Sequence, residues 1–259
     1  MDASTAIAEV SSDLAGLPVF LAGSLVAEEA YGLSNAHDDA DVFCSTEPSL
    51  FVSVTTLLSK GYTFGERFER VWYRWIRYGF KKWHTNSIKL TSPSGIEVNM
   101  VFKLQDGHPT TSLSQVLESF DFGLLGVGYD LETGTYRDQR SFLFPHLDIN
   151  GPLPLMFNKR VNWKKGMFSQ YNGLREMGRY AKYTQYGYDM SAVKGDLLEG
   201  YWNGAAYAHS TGDEEKGKLG TIYETAALLI EDDEIDTLLV HSKEILYMDS
   251  LDEIMEALE

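Results

Sequence analysis

Apolar and polar positions follow two periods in this chain, and they switch several times. Residues 3–15 carry apolar side chains at helical spacing and predict a short helix, which Gly16 and Pro18 end. The run Val19-Phe20-Leu21-Ala22 is apolar throughout and predicts a buried strand closed by Gly23-Ser24. Helical spacing returns from Leu25 to Tyr31, and Asp41-Val42-Phe43-Cys44 predicts a second buried strand. The order is therefore strand, tight turn, helix, strand.

Leu50 to Lys60 predicts an amphipathic helix ending at Gly61, and Val71 to Tyr78 alternates as a strand. Asn86 to Thr91 and Ile96 to Phe102 read as a hairpin around the four-residue turn Ser92-Pro93-Ser94-Gly95. In its second strand Ile96, Val98, Met100 and Phe102 share one face, and Glu97 and Asn99 the other. Ser112 to Phe120 predicts a helix, and Phe122 to Tyr129 a strand that pairs back through Gly134 to Tyr136. Beyond the proline-rich stretch Pro145 to Pro154, helices are predicted over Trp163 to Gln185, Ala192 to His209, Leu219 to Ile230 and Ser250 to Leu258. The expected organisation is an α/β domain over residues 1–150 followed by an all-α domain over 151–259 with an acidic end.

At 259 residues with 44% hydrophobic and 13% aromatic content, the chain has material for real cores, so disorder is excluded as its general state. A net charge of −16 argues against indiscriminate binding to nucleic acid. The charge is uneven, however. Residues 60–103 hold nine basic against three acidic side chains and 159–194 hold eight against two, so two +6 stretches interrupt an acidic chain. The single cysteine, Cys44, cannot form an internal disulfide, and no Cys/His cluster has zinc spacing. With no basic leader and no apolar run near the roughly 20 residues of a membrane span, the expectation is a soluble, cytoplasmic protein.

The informative chemistry is Gly23-Ser24 after a buried strand, then a helix, then Asp39-Ala40-Asp41 entering the next strand. Carboxylates two residues apart on a strand project to one face. There they can share hard cations, because Mg²⁺ takes oxygen ligands at about 2.0–2.1 Å from one or two carboxylates plus substrate phosphates. Two ions about 3.5–4 Å apart would activate an attacking hydroxyl and stabilise departing pyrophosphate. Gly23 would let the backbone approach phosphates, and Ser24 would bind them at a helix start.

This arrangement resembles the nucleotidyltransferase superfamily, the DNA polymerase beta-like fold, whose pattern is a hydrophobic strand ending Gly-Ser or Gly-Gly, a helix, then Asp-x-Asp. The resemblance spans residues 17–103 and implies a mixed-sheet N-terminal domain, a nucleoside triphosphate as substrate, Mg²⁺ or Mn²⁺ as cofactor, and an acceptor hydroxyl on nucleic acid, protein or a small molecule. It implies Asp39 and Asp41 as metal ligands, and a third acid on the strand Ile96-Glu97-Val98-Asn99-Met100-Val101. The hydrophobic context makes Asn99 the matching position, although it is an amide, and Glu97 on the same face is the substitute third ligand. An Asn supplies a neutral oxygen and cannot act as a general base, so the alternative is a catalytically degenerate member that binds a nucleotide or a regulatory partner. The run from Asn99 through Phe120-Asp121-Phe122 to Gly187-Tyr188 is also similar to phage-encoded nucleotidyltransferase-like proteins.

The basic stretches fit the same picture. Arg74 and Arg77, interleaved with Trp72, Tyr73 and Trp75, can bind phosphates and stack bases, or simply cover one face of an aromatic strand. Arg175, Arg179 and Lys182 fall at helical spacing beside Tyr180 and Tyr183. In multidomain relatives of the resembled family such a helix contacts triphosphate or acceptor, which nominates Arg179 and Lys182; solvated surface charge is the other reading. Gly123, Gly126 and Gly128 lack the helix that a dinucleotide fingerprint needs, and Ser24 lacks the context of a hydrolase nucleophile.

Overall fold

The structure, a computed structural model, describes residues 2–31, 39–65, 84–105, 108–120, 125–139, 178, 180–186 and 191–233. The chain divides into two compact units, Met1–Ile149 and Asn150–Glu259. The first is mixed α/β. Its elements are α1 (Ala3–Leu14), β1 (Val19–Ala22), α2 (Ser24–Tyr31), β2 (Ala40–Cys44), α3 (Glu47–Ser59), β3 (Thr63–Phe64), β4 (His84–Thr91), β5 (Glu97–Gln105), β6 (His108–Pro109), α4 (Leu113–Glu118), β7 (Val127–Asp130) and β8 (Thr135–Asp138). The second unit contributes helix over residues 180–185, then α5 (Ser191–Ser210) and α6 (Glu214–Glu231).

The strands form one mixed eight-stranded sheet in the order β3-β4-β5-β2-β1-β7-β8, with β6 also pairing β5. β1 runs antiparallel to β2, and β2 parallel to β5. The apolar composition of β1 and β2 follows from burial on both faces. On one face Phe20, Ala22, Phe43 and Val101 pack with Leu113, Val116 and Leu117 of α4, and Phe120 rests on this cluster with its ring edge-on to Phe43 at 5.6 Å. On the other, Leu21, Val42, Val98 and Met100 are buried on strands that α1, α2 and α3 contact. Gly128 of β7 lies so close to α4 and β1 that a Cβ there would come within 2.8 Å of Leu113 Cδ1 and 2.9 Å of the Leu21 carbonyl oxygen.

Boundaries shift where polar chemistry replaces periodicity. α3 begins at Glu47, ahead of the expected Leu50, because Thr46 and Ser49 form a reciprocal capping box, with each backbone N–H donating to the other's hydroxyl at 3.0–3.1 Å. α6 likewise begins at Glu214, ahead of Leu219. The strand expected from Phe122 begins only at Val127, and residues 121–124 lie outside the described residues. So do the expected strand Val71–Tyr78, the first part of the helix Trp163–Gln185, the linker Pro145–Pro154 and the helix Ser250–Leu258.

The hairpin between β4 and β5 departs from the four-residue turn. Ser92 N–H donates to the Ile96 carbonyl at 2.8 Å, and the Ser92 hydroxyl accepts from Ile96 N–H at 3.0 Å. These bonds draw Ile96 into the turn, where Gly95 adopts a φ of +92°, and Thr91 pairs with Glu97. The four-residue turn would pair Thr91 with Ile96 and set Ile88 opposite Asn99. The observed register instead joins Leu90 to Val98 and Lys89 to Asn99.

Candidate functional site

The turn after β1 positions the first part of the site. Gly23 holds a φ of +98°, a conformation that L side chains rarely adopt, and a Cβ there would fall 2.7 Å from Asp41 Oδ2. Glycine is thus required twice, by the backbone and by the carboxylate that fills the space of its missing side chain. The Gly23 carbonyl accepts the first bond of α2, from Ala27 N–H at 3.1 Å, and Ser24 is buried as the first residue of that helix.

Asp41 is held from both sides by sheet register: it pairs with Ala22 on β1 and lies level with Asn99 on β5. Asn99 Nδ2 donates to Asp41 Oδ1 at 2.9 Å. Asn99 Oδ1 is buried with no hydrogen-bond partner, a costly state for an amide oxygen. On the far side of Asn99 stands its β4 partner Lys89, whose Nζ lies 3.6 Å from Asp39 Oδ2. Asp39 lies just before β2, which begins at Ala40. Glu97 shares the face of Asn99 but is exposed and paired with Thr91.

The site therefore gathers Gly23, Ser24, Asp39, Asp41, Asn99 and Lys89, with Glu97 at its margin. Lys89 was absent from the sequence expectations. The alternation of Ile88 and Leu90 against Lys89 signals its face, but the residue it meets depends on the extra turn position at Ile96. Arg74, Arg77 and Arg179 lie outside the described residues. Lys182 belongs to the second unit, where its Nζ lies 5.6 Å from the centre of the Tyr186 ring. Tyr180 and Tyr183 are buried there.

Among the described residues, no group of three or more His, Cys, Asp or Glu side chains is arranged to hold a metal ion. Asp39 and Asp41 carry carboxylate oxygens of the kind Mg²⁺ takes, while Asn99 turns its amide N–H, not its oxygen, to Asp41. They lack the third carboxylate of the resembled pattern at the position beside Asp41. Among the described residues, no helix is long and apolar enough to cross a membrane. No protein-family model matches the chain, and no curated protein matches it either.

Proposed function

We propose that the N-terminal unit is a nucleotidyltransferase-like domain that moves a nucleoside monophosphate from a nucleoside triphosphate to a hydroxyl acceptor. The acceptor belongs to a nucleic acid, a protein or a small molecule, and the single buried Cys44 accords with a cytoplasmic setting. One observation carries the reading: the Asp41 carboxylate occupies the side-chain space of Gly23, so an acid and the glycine turn at the start of α2 are built as one unit.

In this mechanism the acceptor oxygen bonds to the α-phosphorus as the bond from that phosphorus to the bridging oxygen of the β-phosphate breaks. Pyrophosphate leaves with the electron pair, and the hydroxyl proton passes to the Asp39 carboxylate and on to solvent. Gly23 and Ser24 hold the phosphates, Asp39 and Asp41 would hold Mg²⁺ or Mn²⁺, and Asn99 orients Asp41 through its amide. A bound divalent ion supplies charge stabilisation to the phosphoryl oxygens.

Isothermal titration with Mg²⁺ and each nucleoside triphosphate tests the reading on the native chain and on a variant combining Asp39→Ala with Asp41→Ala. Binding in the native chain and its loss in the variant are expected; equal behaviour of the two overturns the proposal. A second reading, a binding module that has lost catalysis, is favoured by the neutral Asn99 beside Asp41. Asn99→Asp separates the two: a gain of transfer supports degeneration, and a loss assigns Asn99 to the native chemistry.

A further inference from the structure

We propose, building on the nucleotidyl-transfer reading, that the acceptor carries a phosphate beside its reacting hydroxyl and that Lys89 binds that phosphate. The order of strands separates the two substrates. The Gly23 turn ends β1 on one flank of Asp41, while Asn99 on β5 and then Lys89 on β4 follow on the other. Attacking and leaving oxygens stand roughly in line on opposite sides of the transferred phosphorus. With the departing phosphates at Gly23 and Ser24, the acceptor hydroxyl therefore arrives over β5 and β4. Lys89 stands there two strands from Asp41, about 10 Å across the sheet.

Other charged groups described on this face of the sheet are engaged elsewhere. Lys103 Nζ donates to the Ser119 hydroxyl at 3.0 Å. Arg137, beyond Gly128 on β8, donates from Nη1 to the Ser114 hydroxyl oxygen, and Asp130 accepts from the Glu132 and Thr133 N–H groups in the turn after β7. Lys89 differs. Its Nζ lies 3.6 Å from Asp39 Oδ2, longer than a hydrogen bond, and among the described residues its three N–H groups make none. Its side chain is 51% exposed, so an ion pair this open adds little to folding and leaves the ammonium accessible. A lysine recognises phosphate as a point charge, without a fixed orientation. The carboxylates of Asp39 and exposed Glu97 border it, which suits one phosphate at contact distance and opposes a polyanion track.

Isothermal titration of the full chain, holding a nonhydrolysable nucleoside triphosphate, tests this independently of turnover. The probes are the dinucleotide ApA, which offers a phosphodiester, and ribose 5-phosphate, which offers a monoester, each against its phosphate-free counterpart, adenosine or ribose. The native chain should bind at least one phosphate probe about tenfold more tightly than its counterpart, and which probe gains tells a nucleic-acid phosphate from a sugar phosphate. Lys89→Gln should abolish the gain and Lys89→Arg keep it. No gain in the native chain, or a gain that survives Lys89→Gln, overturns the assignment. Triphosphate affinity rests on the other flank and should change by less than about twofold in Lys89→Gln; a larger loss places Lys89 on the departing phosphates and overturns it as well. Failure of the native chain to bind any nucleoside triphosphate overturns the transferase reading itself, a separate result.

Discussion

Gly23 and Cys44 lie near opposite ends of the β1–β2 pair and are constrained for different reasons. At Gly23, alanine introduces backbone strain of about 1–3 kcal/mol and drives its Cβ into Asp41 Oδ2 at 2.7 Å. Gly23→Ala is therefore expected to lower both the unfolding midpoint and the nucleotide affinity, the latter by about tenfold or more. Gly16→Ala is the control: its φ is +78° but the space around it is open, so calorimetry should find lost stability with affinity intact. Cys44 is fully buried, and burial pushes its thiol up to about 12, the Ser49 hydroxyl offsetting only part of the rise. The unfolded thiol ionises near its ordinary value of 9.0, while the folded one stays protonated. The unfolded state then binds fewer protons between these values, so this contribution to stability is complete below about pH 9 and is lost toward pH 12. Denaturant unfolding across that window should fall less steeply for Cys44→Ala, and native Cys44 should resist alkylation at about pH 8.

Helix α4 supports the site from the sheet face that carries Asp41. Its Leu117 is fully buried and packs in the cluster of Phe43 and Val101, residues two positions along β2 and β5 from Asp41 and Asn99. Truncation there leaves a cavity next to the strands that set the Asn99–Asp41 bond. Leu117→Ala is expected to cost about 2–5 kcal/mol, measured by urea unfolding. The hairpin β4–β5 matters differently, because its turn assigns partners. Ser92, by bonding both backbone groups of Ile96, determines that Lys89 meets Asn99.

Over the full chain, the net charge of −16 sets the long-range field and opposes polyanions in general. Retention on heparin at about 0.15 M salt is expected to be absent, as read from the elution volume, and firm retention would refute it. A confined site is compatible with this field because Lys89 and the start of α2 act at contact distance, where local geometry outweighs the distant sum.

The order of strand, glycine turn, helix and strand was legible in the linear pattern, since apolar runs and glycine punctuation are local properties. So was the placing of Asp41 at the start of the second strand, while Asp39 falls just before that strand begins at Ala40. Three matters were decided only by folding. β2 runs parallel to β5 across intervening helix and hairpin, a long-range pairing that brings Asp41 and Asn99 together. The turn at Ile96 gained a residue through two side-chain and backbone bonds of Ser92, and so exchanged the partner of Asn99. Asp41 came to fill the space of the absent Gly23 side chain because antiparallel pairing aligns Ala22 with Asp41. Periodicity reports which face a side chain takes; register, which depends on bonds between distant segments, decides what it meets there.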